Sequence, residues 1–323
     1  MFRASAVTLL LGCSLIAAAC GSDSNDGSAA GNGGSGSAGT AGSAPAPKCG
    51  GEHVAEAGKT VVPLSHGGRD RTYVLYVPQG YDASRPLPLV LNFHGYTSSA
   101  EVQLFFSGLG AIADERQFIL AVPEGIEASW NSGNCCAGAL AAGVDDVGFA
   151  RAVVEHVSNK LCVDAERVYA TGMSNGAFLA HRLACEAADV FAAVAPVAGV
   201  VTLTPEDCKP SRPISVMHFH GTEDTVVRYD GGGYAPTMSV ADSMALWVDR
   251  NGCDAEPEET FRKGNTHCES YPGCRDGVDV TLCTVEGGGH CWPGNASCPF
   301  GTSTTDLSAS SAMWEFMQQY TMP

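Results

Sequence analysis

Seven short apolar runs constrain this chain more than any other feature: RTYVLYVP (71–78), LPLVLNFHG (87–95), FILAVPEG (118–125), RVYATG (167–172), FAAVAPVAG (191–199), ISVMHFHG (214–221) and VTLCTVEGGG (280–289). They have strand length and are bounded by turn-forming Gly, Pro and Asp, and several lack any polar face, as only a strand covered on both sides can. Between them the period lengthens to that of helices. DDVGFARAVVEHVSNKL opens on Asp145, a good N-cap, and sets Val147, Ala150, Val154 and Val157 on one side. GAFLAHRLACEA follows Gly-x-Ser-x-Gly directly, and VADSMALWVDRNG ends in Asn-Gly, a common helix stop. A last helix is expected from Asp306, with Met313, Phe316 and Tyr320 at helical spacing. Strands alternating with helices predict an α/β fold: a mostly parallel central sheet with helices on both faces. No internal repeat or second linker is visible, so residues 48–323 are expected to form one domain.

The N-terminal stretch MFRASAVTLLLGCSLIAAAC carries one charge, Arg3, before a short apolar segment and small residues. Residues 1–19 therefore read as an export signal, too short for a membrane span. LIAAAC resembles a bacterial lipobox, which makes Cys20 the expected lipidated N-terminus; LLGC at Cys13 and an ordinary secretory cut are the alternatives. Residues 20–47 are mostly Gly, Ser, Ala and Asn without an aromatic side chain, the composition of a flexible tether. The expected location is extracellular or on a bacterial cell surface, with the membrane touched only through the anchor.

A formal charge of -17 argues against nucleic acid or anionic lipid as a partner. Of 14 cysteines, an even set remains once Cys13 and Cys20 are removed, so an exported chain should pair them as disulfides. Connectivity is not readable from spacing; Cys253–Cys274 and Cys291–Cys298 are the pairings put forward. The absence of any C-x-x-C leaves zinc or redox chemistry without support.

Ser174 lies in G-M-S-N-G, just past an apolar strand and just before a helix. Such a serine sits in a sharp strand-to-helix turn, the nucleophile elbow of α/β-hydrolases, where glycines on both sides avert collision between strand and helix. Gly172 and Gly176 fill those places. A hydroxyl is a poor nucleophile until a base takes its proton, and in this fold an acid and then a histidine follow the serine on later loops. Asp224 follows ISVMHFHG, and His290 follows VTLCTVEGGG on three glycines that leave its loop free to bend. Glu223, Asp145 and Asp146 compete with Asp224 for the acid's role. The oxyanion needs two N–H donors, each worth about 2.7–4 kcal/mol of barrier. Asn175 supplies one and Tyr96, in NFHGYTSS, the other, with the Tyr96 ring lining the acyl pocket.

Trp130 and Trp292 are candidates to clasp a flat substrate, with packing as the alternative. His218 and His220 share a strand face as H-x-H, but no third ligand stands beside them, so no metal is expected.

Through FHGYTSSA, VDDVGFARAVV, RVYATGMSNGAFLAHRLACE, FAAVAPVAG, HGTEDTVV and GGGHCWPG, in order and spacing, the chain resembles the extracellular polyhydroxybutyrate depolymerase and feruloyl esterase family of α/β-hydrolases. The resemblance runs from about Cys49 to the C-terminus. It implies a Ser174, Asp224, His290 triad, no cofactor, and ester hydrolysis through an acyl-enzyme. Feruloyl or acetyl esters of plant polysaccharide are the expected substrates and polyhydroxyalkanoate the second choice. A peptidase, or a surface binding protein with a dead triad, is the alternative class. Met173 stands before Ser174 where some relatives have a cysteine joined to one beside the histidine.

Overall fold

A computed structural model describes Cys49 and residues 55–232 and 237–323. The proposed signal, the tether and Cys20 lie outside the described residues. The strands are β1 (Gly58–His66), β2 (Arg69–Val77), β3 (Leu87–Phe93), β4 (Ile119–Pro123), β5 (Val163–Met173), β6 (Ala193–Val197), β7 (Ser215–Gly221), β8 (Glu258–Lys263), β9 (Thr266–Tyr271) and β10 (Val280–Val285). They form one sheet, ordered β1-β2-β4-β3-β5-β6-β7-β10-β9-β8. The centre, from β4 to β10, is parallel, while β1 and β2 at one edge and β9 and β8 at the other run antiparallel.

The helices are α1 (Ala100–Ser107), α2 (Leu109–Arg116), α3 (Ala137–Ala141), α4 (Asp146–Ser158), α5 (Asn175–Glu186), α6 (Val240–Asn251) and α7 (Ala309–Met317). Two cores result, one on each face. Leu89, Leu91 and Phe93 of β3 pack with Phe149 and Val153 of α4, Leu179 and Leu183 of α5 and Trp247 of α6. Val90 of the same strand turns the other way, toward Leu109 and Ala113 of α2 and Met313 and Trp314 of α7. Alternation along a pleated strand sends side chains to both layers, which is why these runs have no polar face.

All seven expected strands form, and their apolar centres are fully buried. β1, β8 and β9 were not expected, because β1 and β8 are exposed, charge-bearing edge strands and β9, between β8 and β10, carries polar and half-buried residues. Asp145 caps α4, its carboxylate accepting from the Gly148 N–H at 2.8 Å, and α6 stops at the left-handed Gly252. Within α4 the inward face carries Val153, while Val154 is only partly buried. The last helix starts later than expected: Ser308, not Asp306, caps α7 by accepting from the Ser311 N–H. Asp306 instead receives the Asn265 N–H.

Among the described residues, six disulfides join Cys49–Cys162, Cys135–Cys136, Cys185–Cys208, Cys253–Cys274, Cys268–Cys283 and Cys291–Cys298. Both pairings put forward from sequence are among them. Among the described residues, no helix is long and apolar enough to cross a membrane.

Candidate active site

β5 runs straight into α5 with only Ser174 between them. The serine holds φ 56° and ψ -119°, a conformation that non-glycine residues avoid and that is retained where surrounding structure enforces it. Enforcement is visible on both sides. A Cβ on Gly172 would come within 2.7 Å of the Phe93 carbonyl oxygen, and one on Gly176 within 2.2 Å. Only glycine lets the helix start so close to β3.

Sheet order brings the other two groups in. β7 and β10 are parallel neighbours, with Gly221 opposite Val285, so the loops leaving them emerge together. The loop after β7 carries Asp224 and the loop after β10 carries His290; Nδ1 of the imidazole lies 2.7 Å from Asp224 Oδ2. Oδ1 accepts the Val226 and Val227 N–H groups, each at 2.8 Å. Burial raises the pKa of this carboxyl, but hydrogen bonds from His220 and His290 and the field of His290 outweigh it, so the group stays ionised well below the usual range. The competing acids are engaged elsewhere. Asp145 is the α4 cap, and Asp146 forms a buried pair with Arg71 at 2.8 Å.

The histidine loop is not free to bend. Gly288 accepts the Glu223 N–H, Gly289 donates to Thr302, and His290 N–H donates to the Phe300 carbonyl. A Cβ on Gly221 would meet the Gly288 oxygen at 2.2 Å, and one on Gly289 the Phe300 oxygen at 2.5 Å. These glycines allow close approach rather than motion, and the Cys291–Cys298 bridge ties the loop beside the imidazole.

Ser174 and His290 line one cavity of about 180 Å³, with Tyr96, Val102, Gln103, Phe106, Met173 and Phe300 among its walls. No hydrogen bond joins the hydroxyl to the ring among the described residues. With Nδ1 held by Asp224, Nε2 is the nitrogen left for the cavity, and such contacts commonly tighten once substrate is bound. Two N–H groups flank Ser174: Asn175 opens α5 and has no preceding turn to accept its proton, and the Tyr96 N–H has no acceptor among the described residues. The nearby Thr97 N–H is already committed to the Ala128 carbonyl.

Trp130 and Trp292 do not reach the cavity. Both are at most 1% exposed. Trp292 donates from Nε1 to Ser310 Oγ at 2.9 Å and belongs to the core beneath α7. The Trp130 indole donates to the His94 carbonyl at 2.8 Å, while its backbone N–H and C=O pair with the Asn175 amide at 2.8 and 3.0 Å. An indole bonds its one donor when it can be buried, and burial here placed each ring in the scaffold behind the site. His94 completes that scaffold, its ring bridging the Gly95 carbonyl at 2.8 Å and the Gly125 N–H at 2.9 Å. Burial pushes its pKa down, so it stays neutral, as these two partners require.

The cavity walls from α1 went unnoticed in the sequence, since that helix lacks a marked apolar stripe. Gln103 is held by donating to Asn92 Oδ1 at 2.8 Å.

A serine forced into a strand-to-helix turn, facing an imidazole–carboxylate pair at the carboxyl edge of a parallel sheet, defines an α/β-hydrolase. Residues 71–232 match the family model described as esterase PHB depolymerase. The chain is 33% identical over 267 residues to feruloyl esterase B of Piromyces equi, covering 78% of this chain but only 46% of that protein's length. It is 28% identical over 294 residues to feruloyl esterase D of Neurospora crassa, covering 86% and 91% of the two chains. The solved acetyl xylan esterase from Aspergillus awamori superposes with a TM-score of 0.58 at 15% identity, over 80% of this chain and 99% of that one. The chain belongs to the esterase PHB depolymerase family, whose members are carboxylic ester hydrolases.

Proposed function

We propose that this protein is an exported serine esterase acting through an acyl-enzyme. The observation that carries the proposal is that Ser174 and His290 line one apolar cavity while the buried Asp224 carboxylate holds the imidazole from behind at 2.7 Å. Nε2 of His290 takes the Ser174 proton as Oγ adds to the ester carbonyl, and Asp224 holds the ring and offsets the imidazolium charge. The Tyr96 and Asn175 N–H groups receive the oxyanion, aided by the positive end of α5. His290 then protonates the leaving alcohol. Water, deprotonated by the same nitrogen, releases the acid and restores Ser174.

Soluble feruloyl or acetyl esters on plant polysaccharide are the preferred substrates. The likeness to feruloyl esterases and the apolar walls of Phe106, Met173 and Phe300 support this reading. Short polyhydroxyalkanoate chains are the second reading, supported by the exposure of Tyr96, Val102 and Phe300 around the mouth. Six disulfides fit an oxidising, extracellular setting, and lipidation of Cys20 after removal of residues 1–19 is the proposed means of display. The test is hydrolysis of methyl ferulate, acetylated xylan and polyhydroxybutyrate film by wild type and Ser174→Ala. Release of ferulate or acetate, lost in the variant, is expected. Activity confined to the film overturns the preferred substrate, and equal rates in both proteins overturn the mechanism.

A further inference from the structure

Behind Asp224 lie three imidazoles that the chemistry above does not use. His218 and His220 take alternate positions on β7 and so share a face, while His181 comes from α5 and Trp247 from α6. All four side chains are at most 1% exposed. Trp247 can only donate, and its Nε1 is 3.1 Å from His181 Nδ1, which places the His181 proton on Nε2. That N–H is 3.2 Å from His218 Nδ1, with the Gly199 carbonyl also at 3.2 Å. His218 must then carry its proton on Nε2, 3.0 Å from His220 Nδ1. The His220 proton falls in turn on Nε2, which is 2.8 Å from the Val227 carbonyl and 3.4 Å from Asp224 Oδ2.

A group that only donates stands at one end of this chain, and groups that only accept stand at the other. One direction of donation is therefore allowed, and an additional proton on any ring would set N–H against N–H. The three rings are neutral. Burial acts in the same sense, pushing His181 down to about 3 and His218 well below the usual histidine value.

We infer that His220 is a positioning residue for the catalytic carboxylate, and that Trp247, His181 and His218 form a one-way hydrogen-bond chain that keeps its N–H on the Asp224 loop. The inference rests on the triad reading given above. His220 holds that loop twice, through the Val227 carbonyl and through Oδ2, while the Val226 and Val227 N–H groups hold Oδ1. The carboxylate can then neither rotate nor withdraw from His290. Stability alone does not call for such a chain, because apolar side chains of the same shape fill a buried site about equally well. Successive hydrogen bonds of one sense also polarise each other toward the acceptor end.

The test compares wild type with His220→Leu, His220→Gln and Trp247→Phe on p-nitrophenyl acetate, with Ser174→Ala as a control. His220→Leu should lower kcat about ten- to thirty-fold at a KM within about twofold, since the lost bond reaches a charged group. Its acid limb should move to higher pH, because a carboxylate short of one donor attracts the His290 proton more strongly. His220→Gln, which keeps an N–H at the position of Nε2, should recover most of the rate and restore the limb. Trp247→Phe should lose a few-fold in the same direction. A folded His220→Leu with kcat within about twofold and an unmoved acid limb overturns the inference. Nitrogen NMR of the wild type decides it even where the leucine variant does not fold: His181, His218 and His220 should carry the proton on Nε2, and His181 and His218 should stay neutral at about pH 5. A proton on Nδ1 of any of them overturns it. Equal rates in Ser174→Ala would instead refute the triad, a separate failure.

Discussion

Replacing Trp130 by Phe separates a scaffold role from a substrate contact. The indole is fully buried, packs edge-to-face on Phe93 with ring centroids 5.2 Å apart, and gives its only donor to the His94 carbonyl at 2.8 Å. Phe removes that donor and leaves a buried carbonyl short of a partner, a loss of about 1–3 kcal/mol. The smaller ring leaves a void of roughly 40 Å³, adding about 1 kcal/mol. The sum, about 2–4 kcal/mol, corresponds to a Tm lower by roughly 4–16 °C for a domain of this size. Because the Trp130 indole carries the carbonyl that precedes Gly95 and Tyr96, kcat should fall as the Tyr96 N–H loses its aim, while KM for methyl ferulate should stay within about twofold. Thermal unfolding with disulfides intact, together with steady-state kinetics on methyl ferulate, measures both. An unchanged Tm with a KM raised about tenfold would show that the ring meets substrate and that this reasoning is wrong.

The buried histidines predict an acid-sensitive fold. His181 titrates at about 3 when folded, against about 6.5 when unfolded, so its stabilisation is complete above pH 6.5 and declines as pH falls toward 3. Within that window His181 contributes a slope of about 1.4 kcal/mol per pH unit, and His218 shifts in the same direction. Urea midpoints should fall between pH 7 and pH 5, before most carboxylates titrate; a flat midpoint would contradict neutral burial. Gly176→Ala would force a Cβ against the Phe93 oxygen, 2.2 Å away, and should cost about 3 kcal/mol. An unchanged Tm in that variant would mean that the elbow has room to spare.

Much of the scaffold is local information. A strand buried on both faces must be apolar at every position, so β3, β4 and β6 announce themselves, and Asp145 and Gly252 mark helix ends by their own hydrogen-bonding and backbone preferences. The edge strands β1 and β8 escape that logic because one side of each meets water, and β9 beside β8 escapes it because its residues are polar and only half buried. Within the site, Ser174 was legible because its strained turn needs glycine on either side, and Asp224 and His290 because they follow strands in the order this fold requires.

What the amino-acid order determined by itself was the buried strands, the longer helices and most of the residues at their ends. Only the tertiary structure decided which ends meet, since strand neighbours such as β7 and β10 are set by packing across the sheet rather than by proximity along the chain. It also decided which aromatic rings line the cavity beside Ser174. Trp130 and Trp292 carry the same chemistry whether buried or exposed, and their burial depends on what other segments lay over them. The one-way run from Trp247 to Asp224 has the same origin: its donors and acceptors come from two helices, a strand and a loop, and a direction of donation exists only once they are stacked.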